Sequence, residues 1–444
     1  MQPTTEKRLQ WSSQLNYLLV TTGAVIGLGN IFRFPYFTAK YGCKFILLYI
    51  IFELLISIPI FLAEIIIGRR GRQNPISSIN LLSLEAGASS LWRFCGYLSI
   101  IIAICTVGYY SVNAAFPLAY FVNSAVNITH PGTTLIAIDT LLTNSPAMLF
   151  GFFLIFVIGT LVITIRGINR GLENICRFVI PGIFFIFLLL AIYACSIGDA
   201  KQALLSLIDF HAGKFDLYLV FAAFAYAFFK LNVGTGCMIV YGSYLPITVR
   251  LGRSALIVAG MDAVLSLLAY FAIVPLMYFT STINNFHALA YHIIPQTFAA
   301  LPFGTKLAFL FFLATVLAAW MPMIAFAETI TVTLIEKFNL SRIKATCIFA
   351  VVVLLLGISF ILSSLANTPP LHPLLTAQAI IQYIPENILT PISALLIAIF
   401  AGWVIQKSVS KGELGFGKTT HCVWLGLIRV FVPIGILLLL IVKF

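Results

Sequence analysis

The sequence predicts an all-α polytopic membrane protein of eleven spans, built as two five-helix repeats of opposite orientation with one helix added. Three observations lead there. The chain of 444 residues is 61% hydrophobic and only 9% charged, with a mean hydropathy of +1.06, whereas a soluble domain carries about 25% charged residues. Apolar runs long enough to cross a bilayer recur along the whole length, punctuated by turn residues and charge. The first and sixth of these runs share one anomaly: glycine, asparagine and a cation in the middle of a membrane-deep segment.

In order, the predicted spans lie near 12–37, 44–68, 92–124, 148–165, 172–195, 217–243, 253–280, 303–337, 342–364, 376–405 and 424–442. The whole chain, 1–444, reads as one domain: helices 1–5 over about 12–195, the repeat of helices 6–10 over about 217–405, and helix 11 over about 424–442. With this placement, 18 Lys and Arg fall on one set of alternate loops and 6 on the other, while Arg33 and Lys230 lie within the membrane. That asymmetry puts the amino terminus in the cytoplasm. It also accounts for the formal charge of +12 without nucleic acid as a partner. The eight cysteines show no CxxC spacing, so no zinc or disulfide framework follows. His287 and His292 sit in an external connection read as short re-entrant helices.

Span 1 carries the segment TTGAVIGLGNIFRFP over 21–35, with Gly23, Gly27, Gly29, Asn30, Arg33 and Pro35. Span 6 carries Lys230, Asn232, Gly234 and Gly236. Non-helical backbone at membrane depth is tolerated only where it is buried in protein or lines a cavity. Two interrupted helices at corresponding places in inverted repeats therefore mark a binding site at the midplane. Amides at Leu28 and Gly29, opening the outer half of span 1, suit a carboxylate. Carbonyls released around Val25 and Ile26 suit a cation or an ammonium.

Ionisable groups at membrane depth are costly, by ~2.5–3.5 kcal/mol on insertion scales. They are few here: Arg33, Glu53, Glu64, Lys230, Asp262 and Glu328. Lys230 and Asp262 are opposite in sign and each is the only charge well inside its span, so an ion pair between them is expected. Glu64 is expected to accept from amides freed in span 6. Span 3 offers Thr106, Tyr109, Tyr110, Ser111 and Asn113, with either tyrosine able to reach a ligand. No nucleophile–base spacing and no phosphate loop is present, which argues against an enzyme.

These residues resemble the neurotransmitter:sodium symporter family in its bacterial eleven-span form, with the leucine-transporter fold. The pieces that carry the resemblance are RLQW at 8–11, GAVIGLGNIFRFPY at 23–36, GRRGRQNP at 68–75 and GYYSVNAAF at 108–116. Further pieces are RGINRGLEN at 166–174, AFFKLNVGTGCMIVYGSYL at 227–245, MPMIAF at 321–326 and NILTPISALLIAIFAGWV at 387–404. The resemblance implies transport of amino acids or related amines by alternating access, usually with sodium, in a bacterial inner membrane. It places Val25, Leu28 and Gly29 as backbone contacts to substrate, Tyr110 on its carboxylate and Phe229 as an aromatic lid. Thr106, Asn232, Thr235, Thr315 and Ala319 then surround the side-chain pocket. Arg33 falls on the outer gate, and Arg8 and Trp11 on the inner gate.

The departures from the family pattern define the expected coupling. Lys230 stands where the first sodium site has a hydroxyl, among the Val25 carbonyl, Asn30 and Asp262. Two unit charges ~4 Å apart at an effective dielectric of 20 repel by about 4 kcal/mol, so Lys230 is expected to hold that site as a tethered cation. The second site keeps the Gly23, Ile26 and Phe311 carbonyls and the Thr315 hydroxyl but has Ala314 in place of a hydroxyl, leaving one Na+ bound more weakly. Tyr226 replaces a glutamine near the family's chloride position, which argues against chloride dependence. Gln382 stands where an acid would face Arg33. Thr329 stands where an aspartate would face Arg8, with Glu328 one residue away.

The expected function is secondary active transport of an amino acid or similar zwitterion, with single-sodium or proton coupling and no organic cofactor. A non-transporting amino-acid sensor on the same scaffold is the alternative, and a passive pore is a third reading. The sequence fixes neither the substrate nor an oligomeric state.

Overall fold

The computed structural model describes residues 9–129, 138–277, 286–365 and 376–443. Among these, eight helical stretches are long and apolar enough to cross a membrane, and one bent pair makes a further broken span. The eleven expected spans are recovered once two features are read physically. Pro146–Ile197 runs for 52 residues, far longer than a bilayer needs at 1.5 Å per residue. Gly167, at φ +79°, followed by the π-turn Ile168–Glu173, divides it into spans 4 (Pro146–Gly167) and 5 (Asn174–Ile197). Span 6 is shorter than a full crossing because it is two pieces, Leu217–Lys230 and Cys237–Ser243.

The remaining spans are 1 (Gln14–Val25 with Gly29–Tyr41), 2 (Cys43–Gly71), 3 (Ser90–Thr129), 7 (Leu251–Met277), 8 (Gly304–Phe338), 9 (Arg342–Leu365), 10 (Ala379–Val404) and 11 (Lys418–Ile441). Local chemistry sets several starts. The Ser13 side chain caps span 1 by accepting from the Asn16 amide at 3.1 Å, and Asp216 caps span 6 through the Leu219 amide at 2.8 Å.

Spans 3 and 8 pack along each other, as do spans 4 and 9, and these are corresponding members of the two repeats. Span 5 lies along span 7, and the second half of span 6 along span 2. The last contact depends on Gly68: a Cβ there would sit 1.9 Å from the Ile239 carbonyl oxygen. Small residues let membrane helices approach at backbone distance where no hydrophobic force drives them together. The outside of the bundle keeps large apolar side chains exposed, including Phe178, Phe185 and Ile192 on span 5 and Leu437, Leu438 and Ile441 on span 11. Lipid is the solvent for such a surface, and the chain is a multi-pass membrane protein.

The two breaks are built to different rules. Span 1 bends by 64° across Ile26–Leu28, and Ile26 adopts an extended conformation at φ −72°, ψ 129°. Span 6 unwinds over 231–236, with Asn232, Gly234 and Gly236 at φ +52°, +82° and +76°. Glycine enters this left-handed region at no steric cost, and asparagine tolerates it better than most residues.

Candidate functional site

The unwound backbone is satisfied by side chains from other spans. The Gly234 amide donates to Glu64 Oε1 at 2.5 Å, and the Gly234 carbonyl accepts from Ser393 Oγ at 2.7 Å. Glu64 thus takes the acceptor role expected of it. Asn232 Nδ2 donates to the Ala24 carbonyl and ties the two breaks together. Thr235 Oγ1 donates to the Asn232 carbonyl at 2.6 Å. Replacing Glu64 by Leu leaves the Gly234 amide without an acceptor and is expected to cost about 1–3 kcal/mol. Glu64→Gln retains a carbonyl oxygen and is expected to cost less. Thermal unfolding in nanodiscs checks this, and equal melting temperatures for the two variants would contradict it.

A cavity of about 1200 Å³ opens from these breaks. Val25, Leu28, Gly29, Thr106, Tyr110, Phe229, Lys230, Asn232 and Thr235 all line it, as the sequence predicts. Two expected pocket residues do not. Thr315 and Ala319 are fully buried outside the lining, and span 8 presents Pro322 and Phe326 instead. Span 1 packs along span 8, and its Phe32 ring lies 6.2 Å from that of Phe311. The second-site residues lie on these two packed spans: Gly23 and Ile26 on span 1, Phe311 and Thr315 on span 8. There the Thr315 hydroxyl donates to the Phe311 carbonyl at 2.7 Å, leaving both oxygens lone pairs for a cation.

Span 3 assigns its two tyrosines differently. Tyr109 donates to Glu386 Oε1 at 2.7 Å. The Tyr110 hydroxyl is buried against Gly27, beside the Leu28 amide, and has no hydrogen-bond partner of good geometry among the described residues. A buried phenol normally has a partner; of the two tyrosines, Tyr110 is the one left without it among the described residues.

Lys230 is buried beside the cavity. Its Nζ lies 2.6 Å from Asp262 Oδ2, making the expected ion pair, and donates to Tyr49 Oη at 2.6 Å and Ser266 Oγ at 3.1 Å. Asn30 joins this cluster to the break in span 1. Its Nδ2 donates to Asp262 Oδ1 at 2.5 Å, while its Oδ1 accepts from the Gly27 amide at 3.1 Å. One member was given no role from sequence: Glu53, buried on span 2, shares a hydrogen bond with Tyr49 and lies within Coulombic reach of Lys230. Tyr49 and Glu53 are four residues apart, hence on one helix face, and that spacing was the available signal.

The ends of the bundle differ. At the amino-terminal end, Trp11 donates through Nε1 to the Tyr241 carbonyl at 3.0 Å and packs edge-on against Tyr241 and Tyr244. Ser12 and Asn16 bind Glu173 on the turn before span 5, a residue not foreseen from sequence. Arg8 lies outside the described residues. The described cation on Glu328 is Arg342, at the start of span 9, a contact within the span 8–span 9 corner. At the other end, Arg33 and Gln382 both line the cavity. The acid there is Glu386, one turn beyond Gln382 on span 10.

Comparison with known proteins agrees with this architecture. A sequence model of the sodium:neurotransmitter symporter family matches residues 8–133 and 132–443. An uncharacterized sodium-dependent transporter, YhdH of Bacillus subtilis (strain 168), is 28% identical over 98% of this chain and 97% of its own length. The sodium-dependent neutral amino acid transporter B(0)AT2 of Pongo abelii is 35% identical over 120 residues, 27% of this chain and 16% of its own. The crystal structure of MhsT in complex with L-phenylalanine superposes with a TM-score of 0.87 at 29% identity, covering 98% of this chain and all of that one. The fold is that of the leucine transporter, the relatives are transporters rather than enzymes, and this chain belongs to the sodium:neurotransmitter symporter family.

Proposed function

We propose that the chain, acting as a single domain over 1–444, is a secondary active transporter of an amino acid or related zwitterion in which Lys230 replaces the first sodium ion. The substrate class is supported by the L-phenylalanine bound in MhsT and by groups of the right kind at the cavity: Tyr110 beside the Leu28 amide for a carboxylate, and backbone carbonyls at the break of span 1 for an ammonium. The observation that carries the ion replacement is the Lys230–Asp262 contact of 2.6 Å, linked through Asn30 to the Gly27 amide. An ammonium there occupies the oxygens a sodium ion would need. One Na+ between spans 1 and 8 completes the coupling, and chloride has no role. With the amino terminus cytoplasmic, Trp11 closes the inner side and the cavity faces outward, across the bacterial inner membrane.

In proteoliposomes, uptake by the wild type is expected to rise with sodium at a Hill coefficient near one, and Lys230→Thr to add a second sodium dependence. A folded Lys230→Thr protein with unchanged sodium response overturns the replacement. Saturable counterflow separates transport from an amino-acid sensor or a pore.

A proton in place of sodium is favoured by one observation. Glu53 Oε1 is buried with no hydrogen-bond partner among the described residues, and two carboxylates, Glu53 and Asp262, face one ammonium. The other titratable groups packed around Glu53 are Tyr49 and Tyr226. The surplus negative charge is a place for one proton. Uptake driven by an inward proton gradient without sodium, and lost in Glu53→Gln, would establish this form of coupling.

A further inference from the structure

A second cluster lies away from the transport site, at the cavity mouth far from Trp11. Asp139 sits on the short helix Ile138–Asn144, and His287 and His292 on the re-entrant segment Phe286–Ala300. The π-turn Leu289–Ile293 matters here. Residues five apart in an α-helix diverge by about 140°, whereas a π-turn closes on i→i+5 and brings them onto one face. The two imidazoles are accordingly 6.4 Å apart, centroid to centroid. His292 Nε2 lies 3.1 Å from Asp139 Oδ2, and His287 Nε2 lies 4.0 Å from Asp139 Oδ1.

The bland account is a carboxylate held by one histidine. Two observations exceed it. The ligand atoms of all three residues fall within 4.8 Å of one another. The Asp139 side chain is only 10% exposed, and its Oδ1 has no hydrogen-bond partner among the described residues, although it points toward His287. A buried carboxylate oxygen without a donor is costly unless something satisfies it. The histidines are 51% and 44% exposed, so an ion can enter.

We propose that Asp139, His287 and His292 form a binding site for a divalent transition metal, Zn2+ in the first instance, with water as the fourth ligand. Two imidazoles and one carboxylate are a common zinc donor set with an open position. Zinc–ligand bonds of ~2.0–2.1 Å in a tetrahedron place ligand atoms ~3.3 Å apart, so the cluster reaches coordination by side-chain rotation of about 1 Å. Hard Mg2+ and Ca2+ prefer all-oxygen shells and are excluded.

The consequence is control of the cavity mouth. His287 and Tyr291 line the cavity, and His287 packs edge-on to Tyr291 at 4.9 Å. Tyr291 is held to span 3 through its carbonyl, which accepts from Tyr120 Oη at 2.6 Å, and its ring lies 5.9 Å from that of Phe32 on span 1. A metal across Asp139 and the two histidines fixes the re-entrant segment against the 138–144 helix, and so slows any movement of that segment over the cavity.

The test uses the full chain in nanodiscs, with Cys347→Ser and Cys422→Ser to remove exposed thiols. After EDTA treatment, titration with ZnCl2 is expected to show one saturable site per chain and a rise in melting temperature, with no response to MgCl2. His287→Ala and His292→Ala, both on half-exposed positions that leave the core intact, are each expected to weaken binding at least tenfold. Zinc should slow counterflow in the parent protein and leave the double histidine variant unaffected. Absence of a saturable site, or binding unchanged in the double variant, overturns the proposal.

Discussion

Asp262→Ala is expected to destabilise the protein by about 3–5 kcal/mol, because it strands a buried ammonium without its nearest counter-charge. Asp262 is fully buried, and the ammonium it faces is nearly so. The substitution also removes the shortest of three acceptors of Asn30 Nδ2, the others being the Asp262 carbonyl and Ser266 Oγ, while the other end of Asn30 holds the Gly27 amide in the break of span 1. Loss of ligand binding should therefore accompany loss of stability. The double variant Lys230→Met with Asp262→Ala removes both charges and is expected to recover most of the stability while remaining uncoupled. Unfolding in nanodiscs, arranged as a double-mutant cycle, reads the pair directly. A cost below about 1 kcal/mol for Asp262→Ala would instead make Glu53 the principal counter-charge, and Glu53→Gln would then carry the larger penalty.

Tyr110→Phe is expected to weaken amino-acid binding by roughly 10- to 150-fold, the worth of one hydrogen bond to a charged group at ~1.5–3 kcal/mol. The hydroxyl has no partner of good geometry among the described residues, so its removal is expected to cost the unliganded state little and the loss to appear in the complex. Tyr109→Phe is the control. Its hydroxyl is already engaged by Glu386, and binding is expected to stay near the wild-type value. Calorimetric titration with a panel of neutral amino acids checks both. If Tyr109→Phe weakened binding and Tyr110→Phe did not, the carboxylate would belong beside Glu386 and Arg33, higher in the cavity.

Much of this protein is written locally. The breaks are legible because glycine and asparagine at Gly234, Gly236 and Asn232 are the residues that enter left-handed backbone cheaply, and nothing distant is needed to know it. The Lys230–Asp262 pair is legible because two lone, opposite charges in a low-dielectric interior have few alternatives to meeting. The eleven spans follow from hydrophobicity, length and the turn and charge residues that punctuate the apolar runs.

Tertiary structure decided what depends on how one helix is rotated and seated against another. Glu53 joins Lys230 only because span 2 turns its Tyr49 face toward span 6. Thr315, Ala319, Pro322 and Phe326 follow one helical stripe on span 8, but the first two are packed inside the bundle and only the last two reach the cavity. Glu328 meets Arg342 because the short connection between spans 8 and 9 folds back on itself. Asp139 meets two histidines about 150 residues away in sequence because a π-turn rotates them onto one face. Sequence thus set which residues had to leave the lipid and where the backbone had to break; packing alone chose each one's partner, since a contact across helices is fixed by rotation and depth, which no residue encodes by itself.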